Sequence, residues 1–169
     1  MSAVIKTTTP FVVKEALLNA LSELGYEPTL INEQNHQQQR HSGGLQVGDI
    51  LTNRNDYYGR QHFRNINARW VLRHDSSQMG GRVVSKEHTN KRYKPVASFL
   101  QELEKEYEVQ YQKHLKHLVE LERQRLEAER KARVEATRQK VIEQARSQGY
   151  VVKEKQINGK IQLVCTRSV

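Results

Sequence analysis

From Val96 to Gln148 the chain contains neither glycine nor proline. The two residues that most readily stop a helix are missing, and Glu, Gln, Lys, Arg, Leu and Ala, all strong helix formers, dominate the run. The segment reads as one helix of about fifty residues, which at about 1.5 Å per residue reaches roughly 75 Å. A domain of this chain length is narrower than that, so the helix is expected to protrude or to pair. Its apolar stripe is clear at Phe99, Leu100, Leu103, Tyr107, Tyr111, Leu115 and Leu118, and returns at Val141, Ile142 and Ala145. Between these, ERQRLEAERKARVEATRQK offers only Leu126, Val134 and alanines, with opposite charges at helical spacing. The middle is expected in solvent and the ends docked.

Upstream, Thr9-Pro10, then FVVKEALLNALSEL and Gly25, carries the punctuation of a shorter helix: a threonine cap, proline in the first turn and glycine past the end. Val13, Leu17, Leu18, Leu21 and Leu24 share one stripe, so a sheet-covering helix is expected over about Pro10 to Leu24. Strands are expected at Ala3 to Thr8, Tyr26 to Ile31, Gly48 to Asn53 and Ala68 to His74. Asn32 to Gly44, polar and glutamine-rich, reads as a mobile loop, and Ser76 to Gly81 as a second loop. Gly149 closes the long helix as Gly25 closes the first, and each is followed by tyrosine and a strand. The closing VVKEKQI-NG-KIQLVCT holds an Asn-Gly hairpin turn, which sets Val152, Ile161, Leu163 and Cys165 on one face and Lys153 and Lys155 on the other.

This order predicts an α+β fold in which two strand-helix-strand-strand units share one antiparallel sheet with helices over one face, and the very long charged helix precedes a C-terminal β-hairpin. Residues 1–95 supply the N-terminal part of the domain, 96–148 the partly solvated helix, and 149–169 the hairpin completing the same domain. With 36% hydrophobic and 28% charged residues, part of the chain has to stay in solvent. No apolar run is long enough to span a membrane, and the first residues lack a secretory pattern. The single cysteine, Cys165, forms neither an internal disulfide nor a cysteine zinc site, which points to a reducing, cytoplasmic compartment.

The stretches IKTTT, ALLNALSELGY, DILTNRNDYYG with RWVLRHD, FLQELEKEYEVQY and QGYVVKEKQINGKIQLVCTR cover both ends and the middle of the chain. In them the chain resembles an uncharacterised domain-of-unknown-function family, the one that includes the cyanobacterial and plastid "hypothetical chloroplast reading frame thirty-five" proteins. The glutamine-rich loop is long beside that pattern, and the charged stretch from about His117 to Lys140 reads as an insertion into the second family helix. The resemblance implies a fold and a cytoplasmic or stromal setting, and no reaction. Family genes often lie near those of AAA-type ATPases, which implies an adaptor role with such an ATPase as partner.

No catalytic set emerges from the residues. His114 and His117 share one side of the long helix with Glu120, but two histidines and one carboxylate on a single helix make an incomplete metal site, and solvated histidines explain them better. Cys165 sits in a half-buried strand without a base nearby and reads as a core thiol. Ser42-Gly43-Gly44 and Met79-Gly80-Gly81 do not lead from strand to helix as a phosphate cradle does. Asp49, Asp56 and Asp75 lie scattered near turns. No cofactor is expected, and an enzyme whose site only the fold assembles stands as the third reading, behind the two binding readings that follow.

The net charge of +9 is unevenly placed: Asn53 to Lys94 holds ten Lys/Arg against three Asp/Glu, whereas Val96 to Gln148 holds eleven against ten. The basic segment interleaves Arg54, Tyr57, Tyr58, Arg60, Phe63, Arg64, Arg69, Trp70, Arg73, Lys91, Arg92 and Lys94. Arginines grip phosphates and exposed rings stack on bases, so this segment is the candidate for RNA or single-stranded DNA; alternatively Trp70, Phe63 and a tyrosine belong to the core. The leading expectation is a non-enzymatic adaptor whose α+β domain recognises a protein and whose long helix makes a second contact or self-associates.

Overall fold

A computed structural model describes residues 3–37, 44–56, 58–76, 94–157 and 160–167. Strands β1 (Val4–Thr8) and β2 (Thr29–Leu30) flank helix α1 (Lys14–Glu23). One helical turn, α2 (Glu33–His36), precedes strands β3 (Ile50–Asp56), β4 (Gly59–Ile66) and β5 (Arg69–Asp75). Helix α3 (Val96–Ser147) and strands β6 (Tyr150–Ile157) and β7 (Lys160–Arg167) follow. The fold is α+β as expected, with a five-stranded antiparallel sheet in the order β1-β5-β4-β3-β2 and the long helix ahead of a C-terminal hairpin. One expectation is corrected: β6 and β7 pair with each other in a two-stranded sheet of their own, so no single sheet is shared. Contacts group the chain into two compact units, Met1–Lys116 and His117–Val169, and α3 contributes to both.

In the first unit, β4 is the strand that the sequence reading missed. GRQHFRNI has only Phe63 and Ile66 as apolar residues, so the hydrophobic alternation that marks a strand is absent. Its position decides the matter: between β3 and β5, its backbone groups find ladder partners on both sides. The β4–β5 turn is Asn67-Ala68, both at positive φ (52° and 63°), closing the Ile66–Arg69 pair.

Register then sorts side chains by face. Ile50, Phe63 and Leu72 lie opposite one another across three strands. They join Ala16, Leu17, Ala20 and Leu21 of α1 and Val96, Phe99, Leu103 and Tyr107 of α3 in one buried core, with Val13, Leu18, Leu24, Leu100 and Tyr111 packed at its margin. Aromatic rings link the layers: Phe11 lies 4.7 Å from Tyr107 and 6.2 Å from Phe63, and Tyr26 lies 4.8 Å from Phe99.

Helix α1 starts at Lys14 rather than Pro10, and no side chain caps it. Thr9 is buried and donates its hydroxyl to the carbonyl of Trp70, while the amides of Val12 and Val13 donate to Tyr107 Oη at 3.1 and 2.9 Å. A hydroxyl 95 residues from Val12 thus takes the place of the local threonine cap. The stretch expected as a loop from Asn32 begins with α2, where Asn32 and Asn35 exchange side-chain-to-amide hydrogen bonds of 2.8 Å. Residues 38–43, read as mobile, and 77–81 lie outside the described residues.

In the second unit the hairpin register pairs Val152 with Cys165, Glu154 with Leu163 and Gln156 with Ile161, and Lys153 with Val164 on the opposite face, as the Asn-Gly spacing requires. Sharing a face does not bury Cys165, which is exposed and not the core thiol expected. Alternation in a two-stranded ribbon assigns a face without covering it. Ile142 is buried, and Arg138 pairs with Glu154 of β6.

Candidate binding surface

Side chains alternate along a strand, so the sheet face opposite the core is fixed by the same register. It carries the row Leu51, His62, Arg73, Lys6 and the row Arg64, Val71, Thr8. Arg60, two residues before His62, and Arg69, two before Val71, belong to this face as well. Four of the expected binding residues, Arg60, Arg64, Arg69 and Arg73, are therefore gathered on one surface from β4 and β5. Lys6 of β1, exposed and not foreseen, joins them.

A buried clamp lies within this surface. Asp49, 2% exposed, accepts from Arg64 Nε at 2.9 Å on Oδ1 and from Arg64 Nη2 at 2.6 Å on Oδ2. These hydrogen bonds raise the Arg64 guanidinium above its ordinary pKa. His62 Nε2 stands 3.6 Å from Asp49 Oδ2. Burial nevertheless pushes the His62 imidazole below its ordinary value, against the pull of Asp49, so the ring is neutral at neutral pH. The carbonyl of Gly44 accepts from Arg64 Nη2 at 2.6 Å and from Arg73 Nη1 at 3.1 Å. Gly44 has φ +72°, and a Cβ there would stand 3.0 Å from Arg73 Nη1, which is why glycine suits the position. Two of the arginines thus fasten the segment from Gly44 to Asp49, beside the small apolar cluster of Ile31, Leu45 and Leu51.

The remaining expected residues are dispersed. Arg54 is buried among the core rings, its guanidinium carbon 4.3 Å from the Phe99 centroid, donating to Gln61 Oε1 at 2.9 Å and to the carbonyl of Lys94 at 2.6 Å. Arg60 Nε donates to the carbonyl of Thr52 at 2.8 Å. Lys94 pairs with Glu102, whose hydrogen bonds raise the ammonium pKa. Phe63 and Trp70 belong to the core, as the alternative reading of the aromatic residues had it. Tyr58 is 37% exposed at the β3–β4 turn; Tyr57, Lys91 and Arg92 lie outside the described residues.

Sequence reasoning gave Asp49 only as one of three scattered aspartates and passed over Lys6. The available signal was polar: Arg60, His62 and Arg64 alternate with Gln61, Phe63 and Asn65, a period of two carried by charge instead of by apolar residues.

The second candidate surface is the middle of α3. Arg123–Glu120, Arg125–Glu122, Lys131–Glu127, Arg133–Glu129 and Arg138–Glu135 pair one turn apart along it. Hydrogen bonds from Arg123 and Gln124 push the Glu120 carboxyl down to about 2. Glu120 thus accepts from Arg123 and Gln124 on its own helix, and no three His, Cys, Asp or Glu side chains converge as metal ligands among the described residues. No helix of the described residues is long and apolar enough to cross a membrane. Comparison of the chain with protein-family models, curated proteins and solved structures finds no match.

Proposed function

We propose that the chain is a non-enzymatic binding or adaptor protein, in which the α+β domain recognises a protein partner and α3 supplies a second contact. The observation that carries this reading is the exposure of α3 from His117 to Thr137. Every residue there is exposed except half-buried Glu120, although Leu118, Val119, Leu121, Leu126 and Val134 are among them. Ion pairs one turn apart already support a solvated helix, so large apolar side chains in it are explained by contact with something else. The family resemblance supplies an AAA-type ATPase as the partner class.

The test is capture by the tagged chain from its native cells, with nuclease, beside a variant lacking residues 119–136, about five helical turns, so that the flanking helix keeps its phase. A defined protein partner that survives nuclease and is lost with the deletion is expected. Unchanged capture by the deleted chain would remove α3 from the function.

The basic sheet face favours a second reading, binding of RNA or single-stranded DNA through segment 53–94. Lys6 and Arg69 are exposed on it, and Arg60, Arg64 and Arg73 are half-buried beside them. The burial of Phe63 and Trp70 weighs against base stacking, which is why this reading stands second. Lys6→Glu with Arg69→Glu tests it without touching Asp49: salt-sensitive binding abolished by the pair would place nucleic acid first.

A further inference from the structure

We propose that the partner of the exposed stretch of α3 is a second copy of the same helix, laid antiparallel with a two-fold axis beside Arg130; this rests on the binding-protein reading and names the partner of its helix. Val119, Leu126, Val134 and Val141 are exposed at 70%, 54%, 58% and 45%. At 3.6 residues per turn these four lie within about 40° of one line along the helix. They are also symmetric, because Val119 and Val141 lie eleven residues either side of Arg130, and Leu126 and Val134 four. Two such helices running in opposite directions bring Val119 level with Val141 and Leu126 level with Val134, twice over. Leu118 and Leu121 lie off this line and take no part.

The charges repeat the mirror with inverted sign. Glu120, Glu122, Glu127 and Glu129 precede Arg130 by ten, eight, three and one residues, and Lys140, Arg138, Arg133 and Lys131 follow it at the same distances. Arg125 and Glu135 stand five residues either side. Every charged side chain from 120 to 140 except Arg123 and Arg130 therefore has its opposite at the mirrored position. Along one flank of the seam Glu120 and Glu127 come beside Arg138 and Lys131 of the second copy. Along the other, Glu122 and Glu129 come beside Lys140 and Arg133, each pair about 3 Å apart along the axis. A parallel pair would set every charge level with its like. A partner of unrelated sequence would require no symmetry in this helix, whereas a two-fold partner imposes it.

The exposed ion pairs within one helix do not stand in the way, since such pairs are weak and can be exchanged for pairs with a neighbouring helix. Arg138, half-buried and already paired with Glu154 of β6, adds least to the seam. Arg130 meets its own copy on the axis, and the length of its side chain lets it turn outward toward Glu127.

The experiment uses the full chain with Cys165→Ser and one new cysteine. Under mild oxidation Arg130→Cys is expected to form a disulfide-linked dimer. Val119→Cys alone is not, because the two copies of that position lie about 33 Å apart; mixed with Val141→Cys it should cross-link. In solution the unmodified chain should sediment as a dimer that dissociates with rising salt and on replacing Glu120, Glu122, Glu127 and Glu129 by lysine. A monomer at high micromolar concentration, or Val119→Cys linking to itself as readily as Arg130→Cys, would overturn the proposal. A monomer that still captures a protein through residues 119–136 would sink self-pairing and leave the adaptor reading standing. A dimer that captures nothing would do the reverse.

Discussion

At Asp49 one carboxylate accepts twice from Arg64 and once from the Gln46 amide, at 2.8 Å, with almost no exposure of its own. Replacing it by alanine strands the Arg64 guanidinium against the sheet and leaves the Gln46 amide without its acceptor. Asp49→Ala is expected to cost about 2 kcal/mol in urea unfolding, the scale of losing charge-assisted bonds at a buried group. An unmoved midpoint would show that the clamp adds nothing. The buried histidines give the first unit a pH dependence of known sign. Burial lowers both His62 and His74 below the usual imidazole value of 6.5, so the folded state favours neutral rings. Their stability contribution is complete above that pH and is lost as pH falls through it toward the folded-state values. The melting temperature should therefore drop as pH falls below about 6.5, and the slope should flatten with His62→Asn and His74→Asn together. An equal slope in the double variant would assign the acid sensitivity to carboxylates.

Among the elements, the β4–β5 hairpin holds a local conflict. Its turn places Ala68 at φ 63°, a left-handed conformation that glycine adopts freely and alanine does not. Ala68→Gly is expected to stabilise the chain by about 1 kcal/mol, read as a raised urea midpoint with an unchanged slope. A lowered midpoint would mean that the Ala68 methyl packs usefully. The same hairpin marks where the sequence was hard to read. Asn-Ala lacks the glycine that made Asn158-Gly159 recognisable, and β4 carries its period of two in arginine and histidine. Helix α3 was legible almost to its ends, Val96–Ser147 against Val96 to Gln148, because composition and the absence of glycine and proline act locally. The start of α1 was not, since the amides of Val12 and Val13 just ahead of it are held by Tyr107 of a distant helix.

For the whole molecule, every residue of the first core lies between Phe11 and Tyr107. A chain ending at Lys116 is therefore expected to unfold cooperatively within a few degrees of the full chain while losing helical circular dichroism in proportion to the residues removed. Loss of a cooperative transition would mean that residues beyond Lys116 support the first unit. The sequence alone determined what depends on near neighbours and periodicity: the α+β class, the length of α3, the apolar stripe of α1 and the register of the final hairpin. The tertiary structure decided which arginines are exposed and which fasten the sheet, where Asp49 acts and that β4 exists. Ladder hydrogen bonds and buried ion pairs draw their partners from far along the chain, and the need to satisfy buried polar groups then overrides local preference.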